Sequence, residues 1–277
     1  SAQQSLFVCY NTLENYIDTL SCALRTPYAE YEALGIKDDN GYQQLSSSLL
    51  QIENEFYSAI RPKRVAQSGE TPLKALKERG IEYIEVRCLD INPFLATGID
   101  AETIEFLDAF LLHCLLDDSP QCDQEEFHLI SQNQARIVHN GRDPNVHVFC
   151  GKNEVPMRDC ATNIINSIEK ISEQLDSAHQ TKRYSQSIVV QRAKIADSSL
   201  TPSAKVLAAM KENNESHIDF SLRMSQTHAK QHKSHCVEPQ QRQNLLTIAE
   251  QSVTSQAEIE QQDSIQFDEF LAHYFEQ

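Results

Sequence analysis

The sequence predicts an α+β protein whose strands lie early in the chain and whose remainder is helical. Between residues 40 and 95, short aliphatic and aromatic runs are bounded by turn residues, which is typical of strands. After DINPF at 90–94, apolar residues recur at helical spacing instead. A chain of 277 residues with 40% hydrophobic content can also bury a real core. We therefore expect an α+β region over 1–98 and a helical region packed on it over 99–277.

The first elements in the chain are predicted to be helices. Apolar residues at intervals of three and four predict a helix over residues 11–25, with Asn11 as its N-cap. They are Leu13, Tyr16, Ile17, Leu20 and Leu24. A second short helix, YAEYEALG, closes at Gly35, and KDDNGY then supplies the turn chemistry that precedes a strand.

Strands are expected over 45–60 and 81–90, where the content of aliphatic and aromatic residues is high. A short helix over 71–79 separates them. Thr71-Pro72 favours its start and Gly80 its end.

Helical periodicity dominates the rest of the chain. The predicted helices cover 101–118, about 123–140, about 157–176 and 201–212. Beyond 212 the sequence becomes rich in Gln, Ser, Glu, Lys and His, which indicates long, partly exposed helices. The apolar stretch FDEFLAHYF at 267–275 is expected to dock back onto the body of the protein.

Composition excludes several classes of partner. The 24 basic residues against 40 acidic ones give a net charge of −16, which argues against general binding of nucleic acid or of an anionic membrane. No apolar run approaches the roughly 20 residues that cross a bilayer, so we expect a cytoplasmic protein. Its eight cysteines lack paired spacing and are expected to be reduced thiols.

Charged residues occupy both predicted strands. Because side chains alternate along a strand, Tyr83, Glu85 and Arg87 should share one face of 81–88. By the same rule Glu53, Glu55 and Tyr57 should share one face of the other strand. Such a surface suits the floor of a site, although an exposed edge strand with its charges in water explains the pattern equally well.

These charges suit phosphate chemistry. Carboxylate oxygens are the ligands that Mg²⁺ prefers, and Mg²⁺ usually arrives with nucleotide phosphates. Arg61, Lys63 and Arg64 follow the first strand closely. Guanidinium and ammonium groups beside acidic metal ligands neutralise a phosphoryl group during its transfer.

The segment LQIENEFYSAIRPKRVAQSGETPLKALKERGIEYIEVRCLDINPF resembles the proteobacterial type of glutamate–cysteine ligase, or γ-glutamylcysteine synthetase. The motifs QIENE, IRPKR, SGE and GIEYIEVR…LDINPF follow one another in the family's order. The resemblance is most specific over 41–98 and extends more weakly to both ends of the chain.

The resemblance implies a glutamine-synthetase-like fold, in which a curved antiparallel sheet holds metal ions, ATP and glutamate. The implied reaction uses ATP to phosphorylate the γ-carboxylate of L-glutamate. The amino group of L-cysteine then displaces phosphate to give γ-glutamylcysteine, the first intermediate of glutathione synthesis. The implied cofactors are ATP and Mg²⁺, with Mn²⁺ as the alternative metal.

Several residues match the family's site by position. Glu85 matches a metal-binding glutamate, Arg87 the arginine at the transferring phosphate, and Tyr57 a tyrosine of the cysteine pocket. Arg61, Lys63 and Asn54 are expected on the nucleotide side, from motif membership together with charge.

The resemblance covers only the C-terminal half of the family's chain. It implies that the N-terminal half supplies the other metal ligands and much of the cysteine pocket, and that the isolated chain is inactive. A different hypothesis treats this chain as a non-catalytic helical module for binding or assembly. The polar His- and Gln-rich last third supports that alternative.

One further cluster invites a metal hypothesis. His228, His232 and His235 precede Cys236, and residues four apart on a helix share a face. Because the surrounding run QTHAKQHKSHC is polar and holds no second ligand group, an ordinary surface role is the favoured interpretation. Seven glycines in total leave little room for a glycine-rich phosphate loop.

Overall fold

A computed structural model describes residues 2–276 and divides the chain into two compact units. One unit joins Ser1–Leu89 to Val237–Gln277, and the other is Asp90–Cys236. The predicted division at residue 98 instead placed the last stretch of chain with the middle helices. The structure thus assigns that stretch to the same unit as the early strands.

The first unit starts with a short 3₁₀ helix, Ala2–Ser5, and then alternates helices with short strands. Its elements up to residue 89 are α1 (Leu13–Ala23), α2 (Ala29–Leu34), β1 (Lys37–Asp38), β2 (Gly41–Tyr42), β3 (Ile60–Lys63), α3 (Pro72–Arg79) and β4 (Tyr83–Val86). Two helices follow residue 237, the long α10 (Pro239–Gln262) and the short α11 (Phe267–Phe275). The first predicted helix is confirmed, but its N-cap is Thr12 rather than Asn11, because the Thr12 hydroxyl accepts a bond from the Asn15 N–H.

The core of this unit lies between α1, α3 and the chain around residues 50–56. Leu20 and Leu50 are fully buried there, and the rings of Tyr16 and Phe56 meet edge to face. The complete cluster consists of Val8, Tyr16, Ile17, Leu20, Ala23, Leu50, Phe56, Leu73 and Leu76. These contacts fix α1 and α3 against the segment that leads into β3.

The prediction of a strand over 45–60 is wrong for most of that stretch. Glu53–Glu55 forms a 3₁₀ turn, and only Ile60–Lys63 is extended into a ladder. Carboxylates explain the difference, since Glu55 accepts a bond from the Gln51 N–H at 2.6 Å. Local bonds of this kind compete with strand pairing.

The second strand and the helix before it agree better with the sequence. The predicted 81–90 strand shortens to β4, which pairs antiparallel with β3. Thr71 caps α3, Pro72 occupies its first turn, and Gly80 ends it at a positive φ of 71°. Helix α3 therefore connects β3 to β4, and the sequence predicts both of its ends.

The α+β class is confirmed, whereas a single curved sheet is not seen in the described residues. The strands form separate two-stranded antiparallel sheets: β1 with β2, β3 with β4, and a later pair, β5 (His147–Cys150) with β6 (Asn153–Pro156). This last hairpin was not predicted. Asn133 holds it to a neighbouring helix, because its side chain bonds both the N–H and the carbonyl of Phe149 at 2.7 Å.

The second unit is built mainly from helices. They are α4 (Ala101–Leu116), α5 (Gln124–Asn140), α6 (Met157–His179), α7 (Arg183–Ala196), α8 (Pro202–Asn213) and α9 (His217–Ser234). The sequence predicted these helices except α7. Its core joins α4, α6 and α7 through Ala109, Ile165, Ile168 and Ile188.

The C-terminal stretch docks as predicted. Asp268 of α11 pairs with Lys37 at 3.0 Å and also accepts a bond from the Tyr42 hydroxyl. The ring of Phe267 meets that of Tyr42 edge to face, with centroids 5.1 Å apart. These contacts fasten α11 to the hairpin of β1 and β2.

The cysteines depart from the expectation of eight reduced thiols. Cys150 and Cys160 form a disulfide between β5 and α6, and the other six cysteines form no disulfide within the described residues. None of the described helices is long and apolar enough to span a bilayer.

Candidate functional site

The antiparallel ladder of β3 and β4 gathers the charged residues that the sequence singled out. Its register sets Arg61 opposite Glu85 and Lys63 opposite Tyr83, so these four side chains share one face. Ile60, Pro62, Ile84 and Val86 share the other face. Just past the ladder, the Arg87 N–H donates to the Ala59 carbonyl at 2.7 Å, which extends the pairing by one more step.

Glu85 lies at the centre of a group of cations. Its Oε2 is 3.1 Å from Nε of Arg87 and 3.7 Å from Nζ of Lys63. The pKa of Glu85 is held below its usual range, first by the pairing with Arg87 and then by the charges of Lys63 and Arg61, against the opposing effect of burial. Glu85 is therefore ionised at neutral pH.

The geometry at Glu85 leaves acceptor capacity unused. Its Oε2 is buried, and no hydrogen bond from the described residues is aligned with it, although the Arg87 contact is short. A carboxylate in this state can still accept a donor or a cation from a ligand.

Tyr57 lies beside this ion pair. The guanidinium carbon of Arg87 is 5.5 Å from the centre of the Tyr57 ring, within range for a cation–π contact. Tyr57 is 68% exposed, so its hydroxyl is open to a ligand. The turn after the 3₁₀ helix positions Tyr57, whereas the sequence had placed it on a strand face.

The predicted shared face of Glu53, Glu55 and Tyr57 is wrong. In the 3₁₀ turn, Asn54 and Glu55 are exposed, whereas Glu53 is only 5% exposed. Glu53 points to the start of α3, where its Oε2 accepts the Leu73 N–H at 2.7 Å. The structure therefore brings Glu85, Arg87, Lys63 and Tyr57 together, with Asn54 at an exposed position on the turn.

Arg61, on the charged face, belongs to a buried polar group that the sequence did not indicate. Arg61 is 6% exposed and interacts with the hydroxyl of Tyr16, which is 2% exposed. Burial raises the pKa of Glu53, and the bonds from Leu73 and Thr71 and the charge of Arg61 only partly oppose it. In the sequence, Glu53 of QIENE was the visible sign of a polar group, but no local pattern links it to Tyr16, which is 37 positions earlier.

A cavity of about 260 Å³ adjoins these residues. Its polar walls come from Glu53, Arg61, Lys63 and Tyr83, and its apolar walls include Leu20 and Leu73. The size and the mixture of charge with apolar surface suit a small polar molecule or part of a nucleotide.

The described residues alone do not make a Mg²⁺ site. Among them, no group of three or more His, Cys, Asp or Glu side chains is placed to hold a metal ion. Glu85 offers one carboxylate with two cations in contact, whereas Mg²⁺ needs several well-placed oxygens to displace its waters. A metal at Glu85 thus depends on ligands beyond these residues.

The histidines of α9 have a structural partner instead. Nε2 of His228 lies 2.8 Å from the Pro93 carbonyl, and Nε2 of His232 lies 3.1 Å from the Ala96 carbonyl. The ring of Phe94 also meets that of buried Phe220 at 5.8 Å. Helix α9 therefore holds the loop of residues 92–98 through the two histidines.

Known proteins resemble this chain in sequence and in fold. Residues 1–137, which contain the whole β3–β4 ladder, match the family described as Glutamate-cysteine ligase. The matched stretch is the first 137 of the 277 residues. The matched residues include the motifs around Glu85 in which the resemblance was seen.

Sequence relatives extend the match over nearly the full chain. Glutamate–cysteine ligase from Pseudomonas putida is 43% identical over 274 residues, which is 99% of this chain and 52% of the relative. The Pseudomonas fluorescens enzyme is 44% identical over 99% of this chain and 51% of its own length. The chain thus spans about half the length of the curated ligases that it matches.

Solved structures agree on the fold. A crystal structure of glutamate–cysteine ligase from Francisella tularensis in complex with AMP superimposes with a TM-score of 0.92 at 32% identity. The match covers 99% of this chain and 54% of that one. A bifunctional glutathione synthetase from Pasteurella multocida, at 18% identity and a TM-score of 0.54, shares the fold over 82% of this chain.

Proposed function

We propose that this chain forms part of an ATP-dependent ligase that joins the γ-carboxylate of L-glutamate to the amino group of L-cysteine, the first step of glutathione biosynthesis. The observation that carries the proposal is the ion-paired Glu85–Arg87 unit with Lys63 and Tyr57 beside it. This unit lies within the segment that matches the ligase family. AMP in the Francisella structure supports a nucleotide as one ligand.

In the proposed reaction, the terminal phosphoryl group of ATP moves to a γ-carboxylate oxygen of glutamate, and ADP leaves. The cysteine nitrogen then attacks the acyl carbon, loses a proton, and expels phosphate as the C–N bond forms. Both steps build negative charge on phosphate oxygens, which fixed cations stabilise. Arg87 and Lys63 are the cations placed to do so.

Each remaining residue has a proposed role that fits its position. Tyr57, with its exposed ring, is assigned to the cysteine pocket, and Asn54, exposed on the turn, to the nucleotide side. Arg61 lines the cavity from a buried position and is assigned to the same side. Glu85 orients Arg87 and stays the proposed metal ligand.

The proposed Mg²⁺, or Mn²⁺, needs carboxylates that the described residues do not bring to Glu85. We infer that they come from the part of the relatives that this chain does not cover, which on the resemblance is the N-terminal half. When bound, the metal would neutralise nucleotide phosphates. The chain's own residues orient the phosphoryl group and hold the two amino-acid substrates.

Glu85→Gln tests the proposal in a reconstituted enzyme. The chain is combined with the complementary half of the Pseudomonas putida ligase, and ADP release that depends on glutamate and cysteine is measured. Loss of the Glu85 charge is expected to lower the rate about 100-fold or more, because it acts on charge developing in the transition state.

Glu82→Gln is the matched control, since Glu82 precedes β4 and pairs with Arg64 at 3.6 Å, apart from Arg87. Its rate should stay within about 2-fold of the wild-type rate. Equal rates for Glu85→Gln and Glu82→Gln would contradict the assigned role of Glu85.

A second function, a binding or assembly module, has one observation in its favour. Helix α10 has no buried residue and exposes a broad apolar face. Its large apolar side chains are Leu245, Leu246, Ile248, Val253 and Ile259. Exposed apolar area of this kind marks association surfaces, so a chain that stays monomeric in size-exclusion chromatography at high concentration would count against this function.

A further inference from the structure

Arg61 and Glu85 stand directly opposite each other on the β3–β4 ladder. Opposite charges at such positions normally pair, because their Cβ atoms are only about 5 Å apart. Here Glu85 forms its ion pairs with Arg87 and Lys63. No ion pair joins it to Arg61 in the part of the chain that the structure describes.

The side chain of Arg61 has other neighbours, which come from α1 and from the 3₁₀ turn. Its guanidinium interacts with the hydroxyl of Tyr16, a core residue of α1 that is 2% exposed. Arg61, Tyr16 and Glu53 line the same cavity, and the charge of Arg61 favours the ionised form of Glu53. Arg61 is thus a buried cation with two possible sets of partners. One set is Tyr16 and Glu53, and the other is Glu85, directly opposite it on the ladder.

Nε of Arg61 is buried and has no hydrogen-bond partner among the described residues. A buried donor without a partner destabilises the fold, and more so when it is charged. The guanidinium therefore has a standing reason to turn toward the carboxylate opposite it. Because it does not pair with Glu85, other contacts must hold the guanidinium of Arg61 beside Tyr16 and Glu53.

Glu53 is itself fixed from two directions. Its carboxylate accepts the Leu73 N–H at 2.7 Å and is bonded by the side chain of Thr71. Both donors belong to the start of α3, where the helix dipole favours negative charge. Glu53 therefore cannot follow Arg61, and its position is set by α3.

We propose that Tyr16 and Glu53 are positioning residues that hold Arg61 back from Glu85, and so leave Glu85 to Arg87 and Lys63 in the site. In this arrangement the guanidinium of Arg61 links the ladder to α1 through Tyr16, and to the start of α3 through Glu53. The consequence for catalysis rests on the proposed ligase function, whereas the consequence for the position of Arg61 does not.

The test uses two conservative substitutions. Tyr16→Phe keeps the buried ring and removes only the hydroxyl. Glu53→Gln keeps an oxygen that can accept the Leu73 N–H and removes the charge facing Arg61. Crystal structures of Tyr16→Phe and of the double variant are expected to show a guanidinium nitrogen of Arg61 in an ion pair with Glu85.

Tyr10→Phe is the control. The Tyr10 hydroxyl bonds Ser58 and the Ile60 carbonyl at 2.9 and 3.0 Å, so its loss removes a neighbouring hydroxyl without releasing Arg61. Arg61 should keep its wild-type place in that variant. If the double variant does not fold, Tyr16→Phe alone decides the matter.

A kinetic measurement joins the structural one. In the reconstituted ligase, Tyr16→Phe is expected to lower kcat about 10-fold or more, the usual effect of losing a residue that orients a site group, while Tyr10→Phe leaves it unchanged. The proposal is overturned if Arg61 stays in place in the double variant, or if Tyr10→Phe moves it equally. If the wild-type reconstituted enzyme has no activity, the ligase function fails and the position of Arg61 still decides this inference.

Discussion

At the scale of single residues, the site depends on which cation each carboxylate pairs with. Glu85 is ionised because Arg87 and Lys63 are in contact with it, and Glu53 is buried at the start of α3 with a raised pKa. Two glutamates 32 positions apart thus end in opposite environments within one unit. Their burial and partners, rather than their residue type, separate their roles.

A third carboxylate makes the acid stability of this unit predictable. Arg79 donates to both oxygens of Glu70, at 2.7 and 2.6 Å, and this pairing holds the pKa of Glu70 at about 2. Because the folded pKa lies below the ordinary value of 4.5, the pair stabilises the fold above that pH and loses its effect as the pH falls toward 2.

Glu70→Gln should therefore flatten the dependence of stability on pH between about 4.5 and 2. Chemical denaturation at a series of pH values measures it. Glu78→Gln is the control, since Glu78 is exposed and lies 3.7 Å from the same arginine. Parallel curves for Glu70→Gln and the wild type would refute the assignment.

At the scale of elements, α1, α3 and the ladder together line the cavity beside the charged face. Leu20 is fully buried between them. Leu20→Ala is expected to lower the free energy of unfolding by about 2–5 kcal/mol, the usual cost of removing a core leucine side chain. Leu34→Ala, at a residue that is 69% exposed, should change it by less than about 0.5 kcal/mol. Urea unfolding compares the two, and similar losses would show that the core lies elsewhere.

Helix α9 gives a second prediction at this scale. His228→Ala removes the contact to the Pro93 carbonyl and should loosen the loop of residues 92–98. The Gly98 and Asn92 N–H groups, bonded within that loop, are then expected to exchange with deuterium about 10-fold faster. His217→Ala, at the exposed start of α9, is the control. Unchanged exchange in His228→Ala would show that the histidine does not hold the loop.

Some elements could be predicted from the sequence and others could not. Start and stop residues placed α3 almost to the residue, because Thr71, Pro72 and Gly80 act locally. The stretch around Glu53 was misassigned because it forms a 3₁₀ turn, which is held by the local bond from the Gln51 N–H to Glu55 and by the bond from the Leu73 N–H to Glu53. That bond spans 20 positions, and no local pattern encodes it.

The candidate site divides in the same way. Alternation along one strand correctly set Glu85 beside Arg87, and the family motif added Tyr57. The contact of Arg61 with Tyr16 depends on the packing of α1 against the ladder, which only the folded chain supplies. Helix α7 was likewise missed, although Ile188 at its centre is buried in the second unit's core.

At the scale of the whole molecule, we propose that this chain carries part of a ligase site and needs a complement. It spans about half of its curated relatives, and its described residues bring a single carboxylate to the Arg87 cluster. One carboxylate does not hold Mg²⁺ against its hydration shell. Activity is therefore expected only when further metal ligands are supplied.

The most direct measurement is ADP release with glutamate, cysteine, ATP and Mg²⁺, made on the purified chain with and without the complementary half of a relative. The chain alone should release no cysteine-dependent ADP, and addition of the other half, as a separate chain or a covalent fusion, should restore γ-glutamylcysteine formation. Cysteine-dependent turnover by the purified chain alone would show that its site needs no further metal ligands.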